Sequence, residues 1–274
     1  MNLLWQREKT LRMVWRVEKD GVAAFLVGTA HFFPYPFEKA LTRLIEGAER
    51  VLLEGPLDNE STERVVQCGC DGDCSRDICR DLGAAKVSEI NRRLHHGLPG
   101  RGSSLPYLLL GKTKRENLVQ KHAEGVRPWM AFFRIWSAFL NWSHSMDIEV
   151  YQIAERLGKN IVFLETVEEQ LAALDKIPYE RILAYLERIE EWKEDDKQFV
   201  RCFLDGDVDG LRSVAVHLPT RCGSIIKNRD PILFERMKPY LDKEGSVVFV
   251  GVGHIYGITK RLLKEGYLLS QIAV

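Results

Sequence analysis

The spacing of apolar and polar residues along this 274-residue chain changes several times, and each change predicts an element. Residues 12–17 and 23–27 read as strands on either side of Lys19-Asp20-Gly21, and Asp-Gly between such runs is a hairpin signal. Phe37, Leu41, Leu44 and Ile45 then share one side of a helix over 37–47, with Gly47 near its end. Residues 50–54 (Arg-Val-Leu-Leu-Glu) form a short buried strand that ends on a carboxylate. From 61 to 143 the pattern is mostly helical, with a Gly- and Pro-containing loop at 98–102. A helix over 147–157 leads through Gly158 into a strand at 160–164, and Thr166-Val167-Glu168-Glu169 is a capping box that opens the next helix. Residues 179–204 read as one long charged helix, followed by helices at 208–216 and 231–243. Residues 246–250 are a buried strand, 255–264 a helix ended by Gly266, and 267–272 a last strand.

Two of these segments match. Ala24-Phe25-Leu26-Val27-Gly28-Thr29-Ala30-His31 precedes a helix and then Val51-Leu52-Leu53-Glu54. Val248-Phe249-Val250-Gly251-Val252-Gly253-His254 precedes a helix and then Tyr267-Leu268-Leu269. Both read strand, Gly-x-x-His, helix, strand, a repeat of one supersecondary unit at the two ends of the chain. Gly28 and Gly251 are turn glycines that permit a sharp exit and close backbone approach. His31 and His254 then lie beyond the carboxyl ends of their strands, where open α/β sheets collect ligands, and Glu54 emerges at the same edge. A single Gly-x-x-His is ordinarily a turn; two in equivalent settings, with a strand-end carboxylate, point to a shared site. The expected fold is α/β: two related β-(GxxH turn)-α-β halves forming a mixed central sheet, with a largely helical middle insertion. It is read as one domain over 1–274, with half-sites at 12–56 and 246–274 and a helical middle at 57–245 that includes the strand near 160–164.

Composition narrows the class. The chain is 45% hydrophobic, enough for a substantial core, and its 39 Lys and Arg balance 39 Asp and Glu. Zero formal net charge gives no support to nucleic-acid binding. The longest apolar stretch, 129–142, is interrupted by Arg134 and Asn141 and reads as a buried helix; a membrane span needs roughly 18–20 apolar residues. Residues 1–9 lack a signal-peptide core, so a cytoplasmic, reducing location is expected, where disulfides are rare. Homo-oligomerisation is left open. Of six cysteines, Cys68, Cys70, Cys74 and Cys79 are crowded between Gly and Asp residues, a spacing that admits structural zinc, an iron–sulfur cluster or a loop of free thiols. Cys202 and Cys222 read as buried helix residues, and His95-His96 as a solvated helix end.

An ordered set of short motifs resembles the TraB/PrgY/GumN family, grouped with the TIKI proteases. The set comprises Val14-Trp15-Arg16-Val17, Leu26 through His31, Val51 through Glu54, Arg127-Pro128-Trp129, Asp147 through Lys159, Val162 through Thr166 with Glu169-Gln170-Leu171, Asn228-Arg229-Asp230, and Val250 through Gly257. It spans nearly the whole chain. Asp230 departs from the Asn of many members, the cysteine cluster is outside the pattern, and the membrane helices of some TraB proteins are lacking. The resemblance implies an α/β fold of two related halves with helical insertions, and metal-dependent peptide hydrolysis. PrgY-like members inhibit a peptide pheromone. Similar folds include erythromycin esterases and a haem-binding lipoprotein group, so fold alone does not fix activity.

Two imidazoles and a carboxylate are a ligand set for a catalytic metal with an open position for water. His31, Glu54 and His254 are the expected ligands of Mn, Co or Zn, acting on a peptide or small acyl substrate. Arg127 or Arg229 would hold a substrate carboxylate or stabilise an oxyanion, or serve as internal ion-pair partners. Glu165 would accept a histidine N–H behind the site or cap a helix. Two alternatives stand beside the metal hydrolase. One is metal-free hydrolysis with a His base and Glu54 orienting it; the other is a non-catalytic binder of a metal, haem or signalling peptide.

Overall fold

In the computed structural model, which describes residues 9–71, 76–97 and 117–274, the chain opens with the expected hairpin. Asp20 and Gly21, at φ of 50° and 83°, turn β1 (Val14–Lys19) back onto β2 (Val22–Thr29) in antiparallel register. Helix α1 (Glu38–Glu46) buries Leu41, Leu44 and Ile45 and leads into β3 (Arg50–Leu53). The middle of the chain supplies α2 (Asn59–Cys70), α3 (Ile78–Gly97, broken at Gly83), α4 (Leu118–Ala123), α5 (Pro128–Leu140) and α6 (Met146–Arg156). β4 (Asn160–Phe163), α7 (Val167–Leu174), α8 (Tyr179–Glu187), α9 (Trp192–Asp205) and α10 (Val208–Val214) follow. A π-turn, Gly223–Lys227, then feeds α11 (Arg229–Leu241), β5 (Ser246–Gly251), α12 (Val252–Lys264) and β6 (Leu268–Ile272).

The six strands form one mixed sheet in the order β4-β3-β5-β2-β1-β6. β5, buried at every position, lies at its centre, parallel to both β2 and β3. The crossover from β2 to β3 passes β5 in one direction; the crossover from β5 to β6 passes β2 and β1 in the other. Adjacent parallel strands whose connections leave in opposite directions make a topological switch point, and the crevice beyond their carboxyl ends is where such sheets bind ligands. The two halves are not a strict repeat, because the hairpin strand β1 is wedged between β2 and β6 and pairs antiparallel with both.

Two hydrophobic cores result. One is built on the sheet with α1, α6, α11 and α12, around Leu26, Phe249 and Ile258. The other lies among α3, α5, α8 and the residues that follow it, around Phe132, Leu186 and Trp192. The expected single helix over 179–204 is two helices. The break falls where Trp192 turns inward, stacks on Tyr185 at 4.7 Å and donates its indole N–H to the Tyr185 carbonyl at 3.0 Å. Thr166 and Glu169 form the expected reciprocal cap on α7. The loop expected at 98–102 lies outside the described residues. Among those described, no helix is long and apolar enough to cross a membrane.

Candidate functional site

The site begins with how the strand ends are prolonged. After β2 the chain runs on to His31, and the Ala30 carbonyl accepts the Met146 N–H at 3.1 Å, docking the first turn of α6 there. Asp147 in that turn takes the Thr29 hydroxyl on one oxygen at 2.6 Å and meets His31 Nδ1 with the other at 2.7 Å. The second half repeats the device. His254 occupies the first turn of α12, rather than a turn preceding the helix as the sequence suggests. Its Nδ1 lies 2.7 Å from Oδ1 of Asp230, in the first turn of α11. Both aspartates sit at helix N-termini, where the backbone dipole favours an anion. A carboxylate on Nδ1 fixes each ring and leaves Nε2 to face the site.

Glu54 joins the two. β3 and β4 continue in register past their ends, with Leu164 N–H on Leu53 O and Glu165 N–H on Glu54 O at 2.7 Å, so two carboxylates emerge side by side. Glu54 Oε1 accepts the Gly251 N–H at 2.6 Å and lies 3.8 Å from His254 Nε2. Its Oε2 accepts Arg229 Nη2 at 2.8 Å. Arg229 also donates twice to Glu165, from Nε at 3.0 Å and from Nη2 at 2.5 Å, and its Nη1 lies 3.4 Å from His254 Nε2. A Cβ on Gly251 would stand 3.2 Å from Glu54 Oε1 and 3.8 Å from His31 Nε2, so glycine leaves open the space those two atoms share.

The electrostatics follow from this packing. Burial alone would raise Glu54, but His254, Arg229, His31 and the Gly251 amide hold it down at about 2. Asp147 above all, through its charge and its hydrogen bond, raises His31 to about 9. Burial likewise works against the Arg229 proton, and Glu54 and Glu165 more than restore it. Four carboxylates, Glu54, Glu165, Asp147 and Asp230, thus pair with one guanidinium and two imidazoles.

A cavity of about 170 Å³ opens on these groups. Its polar floor is Thr29, His31, Glu54, Arg229 and His254. Its walls are apolar, from Phe32 and Val252 beside the sheet to Trp136, Tyr185 and Ile225 of the helical core. The His31 side chain is 64% exposed, and that surface opens into the cavity. The pocket therefore lies where the two cores meet, a usual place for a ligand.

A model of the TraB/PrgY/gumN family matches residues 13–271. The chain belongs to that family. Comparison with curated proteins returns no match.

In this TraB/PrgY/gumN chain the two Gly-x-x-His segments, the strand-end Glu54 and the Asn-Arg-Asp element at 228–230 converge on one cavity. Arg127 does not reach it. Its Nη1 pairs with Asp175 at 2.5 Å, and Trp129 donates to the same carboxylate at 2.8 Å. Glu165 takes Arg229 rather than a histidine N–H. Cys68, Cys70 and Cys79 are free thiols on α2 and α3, Cys70 Sγ lying 3.2 Å from Arg134 Nη2; Cys74 lies outside the described residues. The sequence alone does not mark Asp147, Thr29 and Arg221 as site residues. Thr29 lies inside the Gly-x-x-His segment, but Asp147 is 116 positions from its histidine, and only the docking of α6 shows the pairing.

The donor set suits a divalent ion of borderline hardness: two imidazole Nε2 atoms with Nδ1 anchored, and one buried carboxylate. Among the described residues, however, no group of three or more His, Cys, Asp or Glu is arranged so that it could hold a metal ion as it stands. Arg229 holds the outer oxygen of Glu54 and faces His254 Nε2. A metal at His31, Glu54 and His254 fits the chemistry of the donors and requires that guanidinium to yield.

Proposed function

We propose that this protein is a hydrolase of peptide or other acyl substrates, with His31, Glu54 and His254 as its reacting groups and as the ligands of a divalent metal. The observation that carries this reading is the convergence of two imidazoles from opposite ends of the chain, each braced by an aspartate, on one buried carboxylate. A metal held there would lower the pKa of its bound water to about 7 and polarise the scissile carbonyl.

The protein's own groups supply the rest. Glu54, held near 2, remains an anion through the working pH range and is suited to binding a cation or orienting water rather than to taking a proton. His31, held near 9, carries a proton at neutral pH when no cation displaces it. Arg229 restrains Glu54 through its second oxygen and offers a donor beside His254, where charge develops on an attacked carbonyl. The apolar walls lower the local polarity and strengthen the interactions of the more buried groups, Glu54, Arg229 and His254.

The test is hydrolysis of a peptide and acyl-ester panel by the purified protein, with chelator and with added Mn²⁺, Co²⁺ or Zn²⁺. Metal-stimulated turnover that disappears in His31→Ala, Glu54→Gln and His254→Ala supports the reading. Turnover indifferent to chelator points to the metal-free route with the same residues. Binding of metal or peptide without turnover, lost in the same variants, identifies a binder.

A further inference from the structure

The cavity contains a second arginine, and unlike Arg229 it has no carboxylate partner. Arg221 lies between α10 and α11, beside His254 and Arg229 in the cavity lining. Its Nη1 donates to the carbonyl of Gly253 at 2.8 Å, the residue that immediately precedes His254. Among the described residues no carboxylate approaches it within ion-pair distance, whereas Arg127, Arg212 and Arg229 each have one. At Gly253 the tight neighbour is Ile226, whose Cδ1 would stand 3.2 Å from a Cβ there. Burial and the nearby Arg212 both work against its charge, and only Asp230 at longer range supports it. Asp195 and Asp196 line the same cavity from α9, but the charges that act on Asp195 are Arg188, Glu191, His217 and Glu194, Asp196 is raised by burial and by Asp195, and neither is among the charges acting on Arg221.

An arginine cannot shed its proton at any pH the protein meets, so a half-buried guanidinium with no carboxylate partner is a standing electrostatic cost. It is repaid when an anion enters, and a guanidinium presents paired donors that match a carboxylate. The surroundings narrow the anion further: Ile225, Ile226, Val252 and Trp136 make the adjoining wall apolar.

We infer that Arg221 binds the carboxylate of the substrate, and that the substrate class is an acyl-amino acid or peptide C-terminus with an apolar side chain. This rests on the reading of the cavity as a substrate site and deepens it. The α-carboxylate would lie against Arg221, the side chain against the apolar wall, and the acyl carbonyl toward His254 and Glu54. Arg221 is then a specificity determinant, distinct from Arg229, which the ion pairs with Glu54 and Glu165 already occupy.

The experiment is calorimetric binding of N-acetyl-L-phenylalanine and of its uncharged amide to the full chain, with no metal and no turnover required. Wild-type protein is expected to bind the acid about tenfold or more tightly than the amide, the usual range for a hydrogen bond to a charged group. In Arg221→Met that preference should fall to near unity, and Arg221→Lys should restore part of it. Equal binding of acid and amide by wild type, a preference that survives Arg221→Met, or binding of neither probe overturns the inference. The acid–amide comparison on wild type needs no variant to fold. Since turnover is not the readout, a protein that binds the acid through Arg221 but hydrolyses nothing contradicts the hydrolase reading alone.

Discussion

At the scale of single residues, the site is a set of charges in which His31, Glu54, Arg229 and His254 each have an oppositely charged partner and Arg221 has none among the described residues. Arg229 is the one most others depend on. Its side chain and those of Glu54 and Glu165 are only 11%, 11% and 2% exposed. Removing the guanidinium leaves two buried carboxylates facing each other, so Arg229→Met should destabilise the fold by about 3–5 kcal/mol, measured by urea unfolding. The aspartates behave differently. Asp147→Ala and Asp230→Ala free a histidine ring to rotate, and each is expected to weaken metal binding or turnover by about 10- to 100-fold. Asp196 reports on the cavity wall. Burial and the neighbouring Asp195 raise it from 3.8 to about 7. Between those values the folded chain holds a proton that the unfolded chain has lost, so this contribution to stability is full below about pH 4 and is lost as pH rises through 7. Asp196→Asn removes that slope, and urea unfolding at pH 5 and pH 8 should show the variant gaining on wild type at the higher pH.

At the scale of elements, the helix N-termini are what assemble the site, and they set the limit of what the sequence displays. The strands at 50–54 and 246–250 and both Gly-x-x-His segments are legible because apolar runs ending in glycine or glutamate have a local signature. The capping box at Thr166 is legible for the same reason. The partners of the histidines are not, since Asp147 and Asp230 are ordinary first-turn acids until α6 and α11 dock against the sheet. The split of 179–204 is not legible because residues 188–191, between α8 and α9, carry no Gly or Pro, and the break is fixed by Trp192, the first residue of α9, packing back on Tyr185. Helix α12 offers a test of this docking. Gly257 faces Asp230, and a Cβ there would fall 1.8 Å from Asp230 Oδ2. Glycine to alanine inside a helix ordinarily stabilises by roughly 1 kcal/mol. Gly257→Ala should instead destabilise the protein and reproduce the functional loss of Asp230→Ala, as thermal unfolding and metal titration would show together.

At the scale of the whole molecule, the sheet order brings the two ends of the chain to one place. β2 and β5 lie side by side because the hairpin and the C-terminal crossover meet at the centre, and their opposite exits leave a crevice that the helical layer closes. The internal repeat thus serves to deliver two histidines from positions 31 and 254 to one carboxylate. The most direct test is a titration of Co²⁺ or Mn²⁺ into wild type, His31→Ala, His254→Ala and the double variant. One shared site predicts that wild type binds, that each single variant loses nearly all of that affinity, and that the double variant is little worse than either. No binding by wild type, or single losses that are small and simply add, would contradict it.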